Sequence, residues 1–243
     1  NQRQAERDTP ERIDAAELSR REPNVRGLAA LAVPASGIVD YRRVCAAMTE
    51  QIRALGGRVH LDAPVVALTE GIDEVQVGVG GRWALDPHRP GLIRARRVLA
   101  CAGIQADRVA RLAGLDPGVV MLPFRGEYYR LAPHLDDVVR HLIYPVPDPS
   151  LPFLGVHLTR LIDGGVSVGP NAVLGMAREG YARWSVDGGD LREMLRAPGF
   201  WRVAKAQFRT GVGEQWNSAY RPGYLALVRR YCPSVELADL QPM

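Results

Sequence analysis

The sequence predicts a mixed α/β protein of two subdomains, and three observations carry that prediction. Residues 40–57 have helical periodicity, residues 97–114 read as strand, glycine turn and helix, and residues 119–169 read as strands with no helix between them. Alternating strand and helix signals indicate a layered α/β part, whereas a run of strands alone indicates an antiparallel sheet. The boundary is therefore expected at 117/118, with residues 1–117 forming one domain and residues 118–243 the other.

The opening stretch to Arg21 is polar and reads as helical. Over 40–57, Asp40 is placed to cap a helix, Val44, Met48, Ile52 and Leu55 recur on one face, and Gly56-Gly57 ends it. A strand follows over 58–68. Residues 75–98 are hairpin-like, with Gly78, Gly80 and Gly81 at one bend and Asp86-Pro87 and Pro90-Gly91 at later ones.

Arg97 to Gly103 reads as a buried strand reaching a glycine turn, and residues 105–113 as a short helix closed by Gly114. This arrangement suits either a nucleotide-binding layer, whose helix-start amides can face phosphate, or any ordinary strand-to-helix connection. Strands are then expected over 119–131, 140–146, 153–162 and 166–169, and helices over 190–196, 200–215 and 217–231.

Composition excludes several classes. With 47% hydrophobic and 24% charged residues the chain is globular, and its net charge of +4 is spread over scattered arginines, which argues against a nucleic-acid partner. Cys45, Cys101 and Cys232 have neither disulfide-framework nor zinc spacing, so no metal is expected and a reducing compartment fits. No apolar run reaches the roughly 18 residues of a spanning helix. A cytoplasmic setting is the expectation, with peripheral contact to the inner membrane left open.

Chemistry is sought on the strands, where successive side chains alternate between faces. Leu154, Val156 and Leu158 share one face and Gly155, His157 and Thr159 the other, so His157 is expected to leave the core side. Arg125, Glu127 and Tyr129 share a face opposite Leu122, Phe124 and Tyr128. An arginine, a tyrosine and a histidine on neighbouring strands would suit an anionic substrate that must lose a proton. Each has a plainer reading: a structural histidine, an Arg125–Glu127 surface pair, and Tyr144 as an aromatic plug at a strand end. Gly78-Val79-Gly80-Gly81 lacks the last glycine of GxGxxG and no helix is expected after it, so it is not a dinucleotide fingerprint.

Longer stretches are more specific. Asn24 to Leu28, Pro34 to Tyr41, Ala100 to Gly103, Pro123-Phe124-Arg125-Gly126-Glu127-Tyr128-Tyr129, Arg140-His141-Leu142-Ile143-Tyr144-Pro145-Val146-Pro147, Phe153 to His157 and Val168 to Ala172 together resemble the L-2-hydroxyglutarate oxidase/dehydrogenase family. That family is a branch of the D-amino-acid-oxidase-like FAD-dependent flavoproteins. The resemblance implies the interior part of such a fold, with a partial FAD-binding region interleaved with a substrate domain built on an antiparallel sheet.

The resemblance also implies roles. Val65 and Val66 match a strand end that meets the adenine side of FAD through its backbone, and Ala102 and Gly103 match a turn close to the cofactor. Tyr144 and His157 resemble a tyrosine and a histidine placed over the flavin. The implied reaction oxidises L-2-hydroxyglutarate to 2-oxoglutarate by hydride transfer to the flavin, with His157 as base and Arg125, Tyr144, Arg160 and Asn171 binding the dicarboxylate. Oxygen or a membrane quinone would accept the electrons. Another hydroxy acid or an amino acid as substrate, or a non-catalytic remnant serving as an interaction module, are the alternatives. The family's opening GxGxxG unit and its closing strand and helix have no counterpart in the sequence; if 243 residues are the whole polypeptide, weak or absent FAD binding is expected.

Overall fold

A computed structural model describes residues 9–86, 91–146, 155–182, 185–206 and 221–243. The chain forms two compact units, each assembled from separated segments: residues 1–41, 124–173 and 207–243 in one, and residues 42–123 and 174–206 in the other. A single cut at 117/118 therefore does not describe it. The crossing at 123/124 lies near that position, but the first 41 residues belong with the later strands, and residues 174–206 belong with the earlier elements.

The first unit is organised by a four-stranded sheet of order β7-β8-β6-β9, formed by β6 (Phe124–Leu131), β7 (His157–Arg160), β8 (Val166–Leu174) and β9 (Leu240–Pro242). Pairing of β7 with β8 and of β6 with β9 is antiparallel, as the run of strand signals predicts. One face carries Tyr129, Leu131, Leu158, Val166, Val168 and Leu240, all buried. Helix α7 (Arg221–Val228) adds Tyr224, Leu225 and Val228 to that core, and the Tyr224 hydroxyl donates to the Val168 carbonyl at 2.9 Å.

Residues near the start complete this unit. β1 (Glu11–Asp14) pairs antiparallel with β2 (Ala29–Ala32), flanking the short helix α1 (Ala15–Arg21), whose N-terminus is capped by the Asp14 carboxylate accepting from Glu17 N at 2.8 Å. The polar opening is thus part strand and part helix. Glu22 is buried, and its carboxylate accepts from the amides of Arg140 and His141 and meets His141 Nδ1 at 2.6 Å. Asn24 donates to the Val138 carbonyl at 3.0 Å, so the 22–26 turn is held against residues 138–141. A carboxylate out of water needs such donors, since each unmet hydrogen bond of a charged group costs several kcal/mol, on the order of 1–3 at least.

The second unit holds α2 (Tyr41–Ala54), a three-stranded antiparallel sheet of β3 (Val65–Glu70), β4 (Val75–Val79) and β5 (Leu92–Ala95), the one-turn helix α3 (Gly81–Ala84), and helices α4 (Ala106–Leu112), α5 (Gly188–Arg196) and α6 (Pro198–Ala206). Helix α2 follows its predicted bounds, yet Met48 and Leu55 on its apolar stripe are 59% and 88% exposed. The strand predicted over 97–103 does not form. Among the described residues no strand pairs with it, and Leu99 is 90% exposed. A buried strand needs neighbours on both edges, and apolar composition alone does not supply them. Residues 153 and 154, the end of the helix predicted over 200–215 and the start of that over 217–231 lie outside the described residues.

An ion network joins α4 to the segment entering α5. Arg178 and Asp107 have side chains 2% and 1% exposed and form a bidentate pair, with Nη2 to Oδ2 at 2.8 Å. Arg178 Nη1 also donates to the Ile104 carbonyl at 2.9 Å, and Asp107 accepts from the Arg108 and Met121 amides at 2.9 and 3.0 Å. Asp190 and Glu193 receive Arg108 at 2.5 and 2.6 Å, and Glu193 also receives Arg111 at 2.9 Å. The Arg178 guanidinium holds the Asp107 carboxyl far below the usual range, against the opposing effect of burial.

Removing Arg178 leaves a buried carboxylate short of its main partner, so Arg178→Met is expected to destabilise the chain by about 3 kcal/mol or more in denaturant titration. Because the folded Asp107 pKa is depressed, its stabilisation is present above the unfolded carboxylate value of about 4 and declines as pH falls below it. Arg178→Met is expected to flatten that acid limb; an unchanged limb would count against the assignment.

Candidate functional site

The site is set by the outer edge of β7. Ile143 exchanges two backbone hydrogen bonds with Leu158, at 2.9 and 3.0 Å, so Ile143 and Leu158 form an antiparallel bridge. Both side chains turn to the core. The next residue on each chain turns the other way, which sets Tyr144 opposite His157. Their rings stack with centroids 4.2 Å apart and planes inclined by 24°. The two residues that the resemblance implies lie over the flavin are therefore neighbours in the fold.

His157 does leave the apolar core side, as alternation predicts, yet it is only 7% exposed because aromatic rings cover it. Its register partner is Gly169 on β8. Tyr128 of β6 lies beside that glycine, and its ring meets His157 edge-on with centroids 6.4 Å apart and planes at 70°. His157 Nδ1 lies 3.3 Å from the Gly155 carbonyl, a contact that favours the proton on Nδ1 and leaves the lone pair on Nε2. Burial lowers its pKa below the ordinary 6.5, more than the Gly155 contact raises it.

Of the predicted carboxylate anchors, Tyr144 stands at His157, whereas Arg125 and Arg160 are not gathered here. Arg125 forms an ion pair with Glu127 at 2.7 Å, the plainer of its two readings. Its position on β6 shares the parity of Tyr129 and Leu131, which face the core, whereas Tyr128 has the parity that reaches His157. Arg160 donates to the carbonyls of Val139 at 2.7 Å and Asp136 at 3.3 Å, bracing that loop from the face opposite His157. Asn171 follows Gly169 by two positions on β8 and is 1% exposed, buried rather than open to a ligand. Tyr128, grouped by the sequence with apolar neighbours, is the residue that sequence reasoning missed. Its signal is Gly126 two positions earlier on the same face, but the pairing of β6 with β8 that brings it to His157 is long-range.

In the second unit, Val65 and Val66 begin β3 with exposed side chains, and Val65 pairs with Val79. Gly103 has φ +52°, and a Cβ added there would meet nothing within 4 Å, so open space lies over the turn after Ala102. An exposed apolar strand end and a bare glycine turn fit the flat, uncharged edge of a flavin nucleotide. Among the described residues no group of three or more His, Cys, Asp or Glu could hold a metal ion, and no helix is long and apolar enough to cross a membrane.

Comparison with known proteins identifies the family. The model of the FAD dependent oxidoreductase family, DAO, matches residues 1–236. The chain belongs to the DAO family of FAD dependent oxidoreductases. Members similar to it include the L-2-hydroxyglutarate dehydrogenase of Escherichia coli strain K12, 47% identical over 95% of this chain and 53% of that protein. The mitochondrial L-2-hydroxyglutarate dehydrogenases of Caenorhabditis elegans and Homo sapiens are 35% and 32% identical, over 95% and 94% of this chain and 52% and 50% of those proteins. The chain thus spans about half the length of these curated relatives. Among solved structures, the L-proline dehydrogenase of P. horikoshii matches with TM-score 0.59 and 13% identity, covering 96% of this chain and 50% of that one, a likeness of fold. DAO membership accounts for the mixed α/β architecture with antiparallel sheets and for the FAD dependence implied by the resemblance.

Neutral His157 is favoured by the fold, so its contribution to stability is complete above the unfolded value of about 6.5 and is lost as pH falls below it. An NMR titration is expected to give His157 a midpoint below that of an exposed histidine, and Tyr144→Ala, by opening the ring to water, to raise it. A midpoint at the ordinary value would remove the desolvated environment described here.

Proposed function

We propose that this chain supplies the substrate-side sheet and part of the FAD-binding region of an enzyme that oxidises L-2-hydroxyglutarate to 2-oxoglutarate. The observation that carries the reading is the stacked Tyr144–His157 pair, made by residues for which the family resemblance implies a place over the flavin. The names of the similar proteins support the substrate. Val65, Val66, Ala102 and Gly103 are the residues that would hold FAD in this chain, and FAD when bound supplies the acceptor for the hydride.

The chain's own residues handle the proton and the orientation. His157 keeps its lone pair on Nε2 and is held neutral near pH 7, the form that can take the proton of a substrate hydroxyl. The phenol of Tyr128, raised above its ordinary value chiefly by burial, is uncharged at that pH, and the imidazole's base strength is set mainly by its own burial. Tyr144, stacked on the ring, fixes its plane. Electrons leaving the substrate pass to oxygen or a quinone in this reading.

A second reading changes the substrate to another 2-hydroxy acid. Its support is that Arg125 and Arg160 are committed to Glu127 and to backbone carbonyls, while a dicarboxylate calls for two anchors.

The test is the visible spectrum of the purified chain with FAD, followed anaerobically by L-2-hydroxyglutarate. Bound flavin that bleaches, with His157→Gln slowing the bleaching about 100-fold or more, is expected. Bleaching with lactate but not with hydroxyglutarate would select the second reading, and undiminished bleaching by the His157 variant would remove it as base.

A further inference from the structure

We infer that Glu22 is a positioning residue for His157: its buried carboxylate, with Asn24 beside it on the same turn, clamps residues 138–141 and so keeps the Tyr144 ring over the imidazole. This deepens the functional reading above and rests on its choice of the Tyr144–His157 pair as the reacting face.

The clamp is built of complementary groups. Glu22 closes α1, its amide donating to the Leu18 carbonyl at 2.7 Å, and its side chain is only 3% exposed. Its carboxylate accepts from the amides of Arg140 at 3.0 Å and His141 at 2.7 Å. Just before them the polarity reverses. The Val138 carbonyl accepts from Asn24 Nδ2 at 3.0 Å, and the Val139 carbonyl from Arg160 Nη1 at 2.7 Å. Donors of the segment thus face an anion, and its acceptors face an amide and a cation. Hydrogen bonds to an ionised partner are the stronger kind, so the carboxylate dominates the clamp.

The clamped segment leads directly to the site. From His141 the chain runs to Ile143, which is bridged to Leu158, and then to Tyr144. Beyond it, Pro145 lies on Gly155, where an added Cβ would stand 3.1 Å from Pro145 Cγ. Gly155 is also the residue whose carbonyl meets His157 Nδ1. The Tyr144 ring is 49% exposed, and its hydroxyl has no hydrogen-bond partner among the described residues. Backbone held on either side of it, rather than a bond of its own, therefore sets the ring on the imidazole. Without Glu22 two inward amides lose their acceptor, and the segment that carries Tyr144 is released.

The test is NMR titration of His157 in the 243-residue chain and its variants. It needs neither flavin nor substrate, so its outcome is separate from that of the bleaching experiment. The sign of the shift distinguishes two causes. Loss of a nearby anion alone lowers a histidine midpoint, whereas loss of the covering ring admits water and raises it. Tyr128 and Tyr144 face His157; His141 and Cys232 face Glu22, and the Cys232 thiol is raised chiefly by burial. Glu22→Gln is expected to raise the His157 midpoint by at least about half the rise caused by Tyr144→Ala, and to add no more than about 0.3 pH unit in the Tyr144→Ala background, because both act through one contact. Glu17→Gln removes a charge from the same helix, where it pairs with Arg20 and Arg21, and should leave the midpoint unchanged. Asn24→Ala, an uncharged change to the same clamp, should raise it by a smaller amount.

A midpoint unchanged or lowered in folded Glu22→Gln overturns the inference, as does a full rise from the same substitution in the Tyr144→Ala background. Where Glu22→Gln does not fold, Asn24→Ala decides: a raised midpoint upholds the clamp, and an unchanged one overturns it.

Discussion

Two backbone hydrogen bonds between Ile143 and Leu158 determine how the candidate site is put together. Because strand side chains alternate, a bridge that turns these two apolar residues into the core must turn Tyr144 and His157 out together. The same constraint runs across the sheet. Leu158 lies opposite Val168 and His157 opposite Gly169, so the core and the site share one register. A slip of one residue would bury the histidine among valines and expose Leu158, which is fully buried. Hydrophobic burial on one face therefore enforces the order of polar groups on the other.

The two units solve the burial of charge in comparable ways. In the first, Glu22 is surrounded by amides of Arg140 and His141; in the second, Asp107 receives two amides and the bidentate Arg178. Desolvation of a lone carboxylate would offset much of the attraction to one cation. What makes these sites tenable is that backbone donors satisfy the remaining lone pairs, and those donors exist only once the loops at 138–141 and 119–121 have their folded shape. Each carboxylate thereby selects a loop conformation. The geometry of Arg160, donating into the carbonyls of Asp136 and Val139, extends the same logic to a cation.

Local pattern in the sequence was a good guide where local forces decide. The bounds of α2, the helix closed by Gly114 and the antiparallel character of residues 124–174 were legible because periodicity and turn residues are short-range signals. The parity of β7 was legible for the same reason, and it assigned His157 to the right face. What pattern did not contain was which face of β6 meets which face of β8. Arg125 and His157 were grouped by chemistry, but parity relative to Tyr129, buried against Tyr224 with ring centroids 4.8 Å apart, separates them. The strand predicted over 97–103 failed for the related reason that an apolar run becomes a strand only when another strand accepts its hydrogen bonds.

Charge placement gives the site its chemical character. An arginine aimed at the substrate would raise affinity for anions, but its field would also lower the basicity of a neighbouring imidazole that has to gain a proton. With Arg125 neutralised by Glu127 and placed across the sheet, and Arg160 held in carbonyls, no guanidinium among these candidates stands next to His157. Its pKa is then lowered mainly by burial, which keeps it neutral near pH 7, while stacking on Tyr144 preserves its orientation. Under the proposed function, an imidazole that is uncharged before reaction would become a cation on taking the substrate's proton, so any attraction to a substrate carboxylate would arise during the reaction. Attraction of that kind is strongest where water is partly excluded, and it acts on the state that follows proton loss more than on the bound ground state.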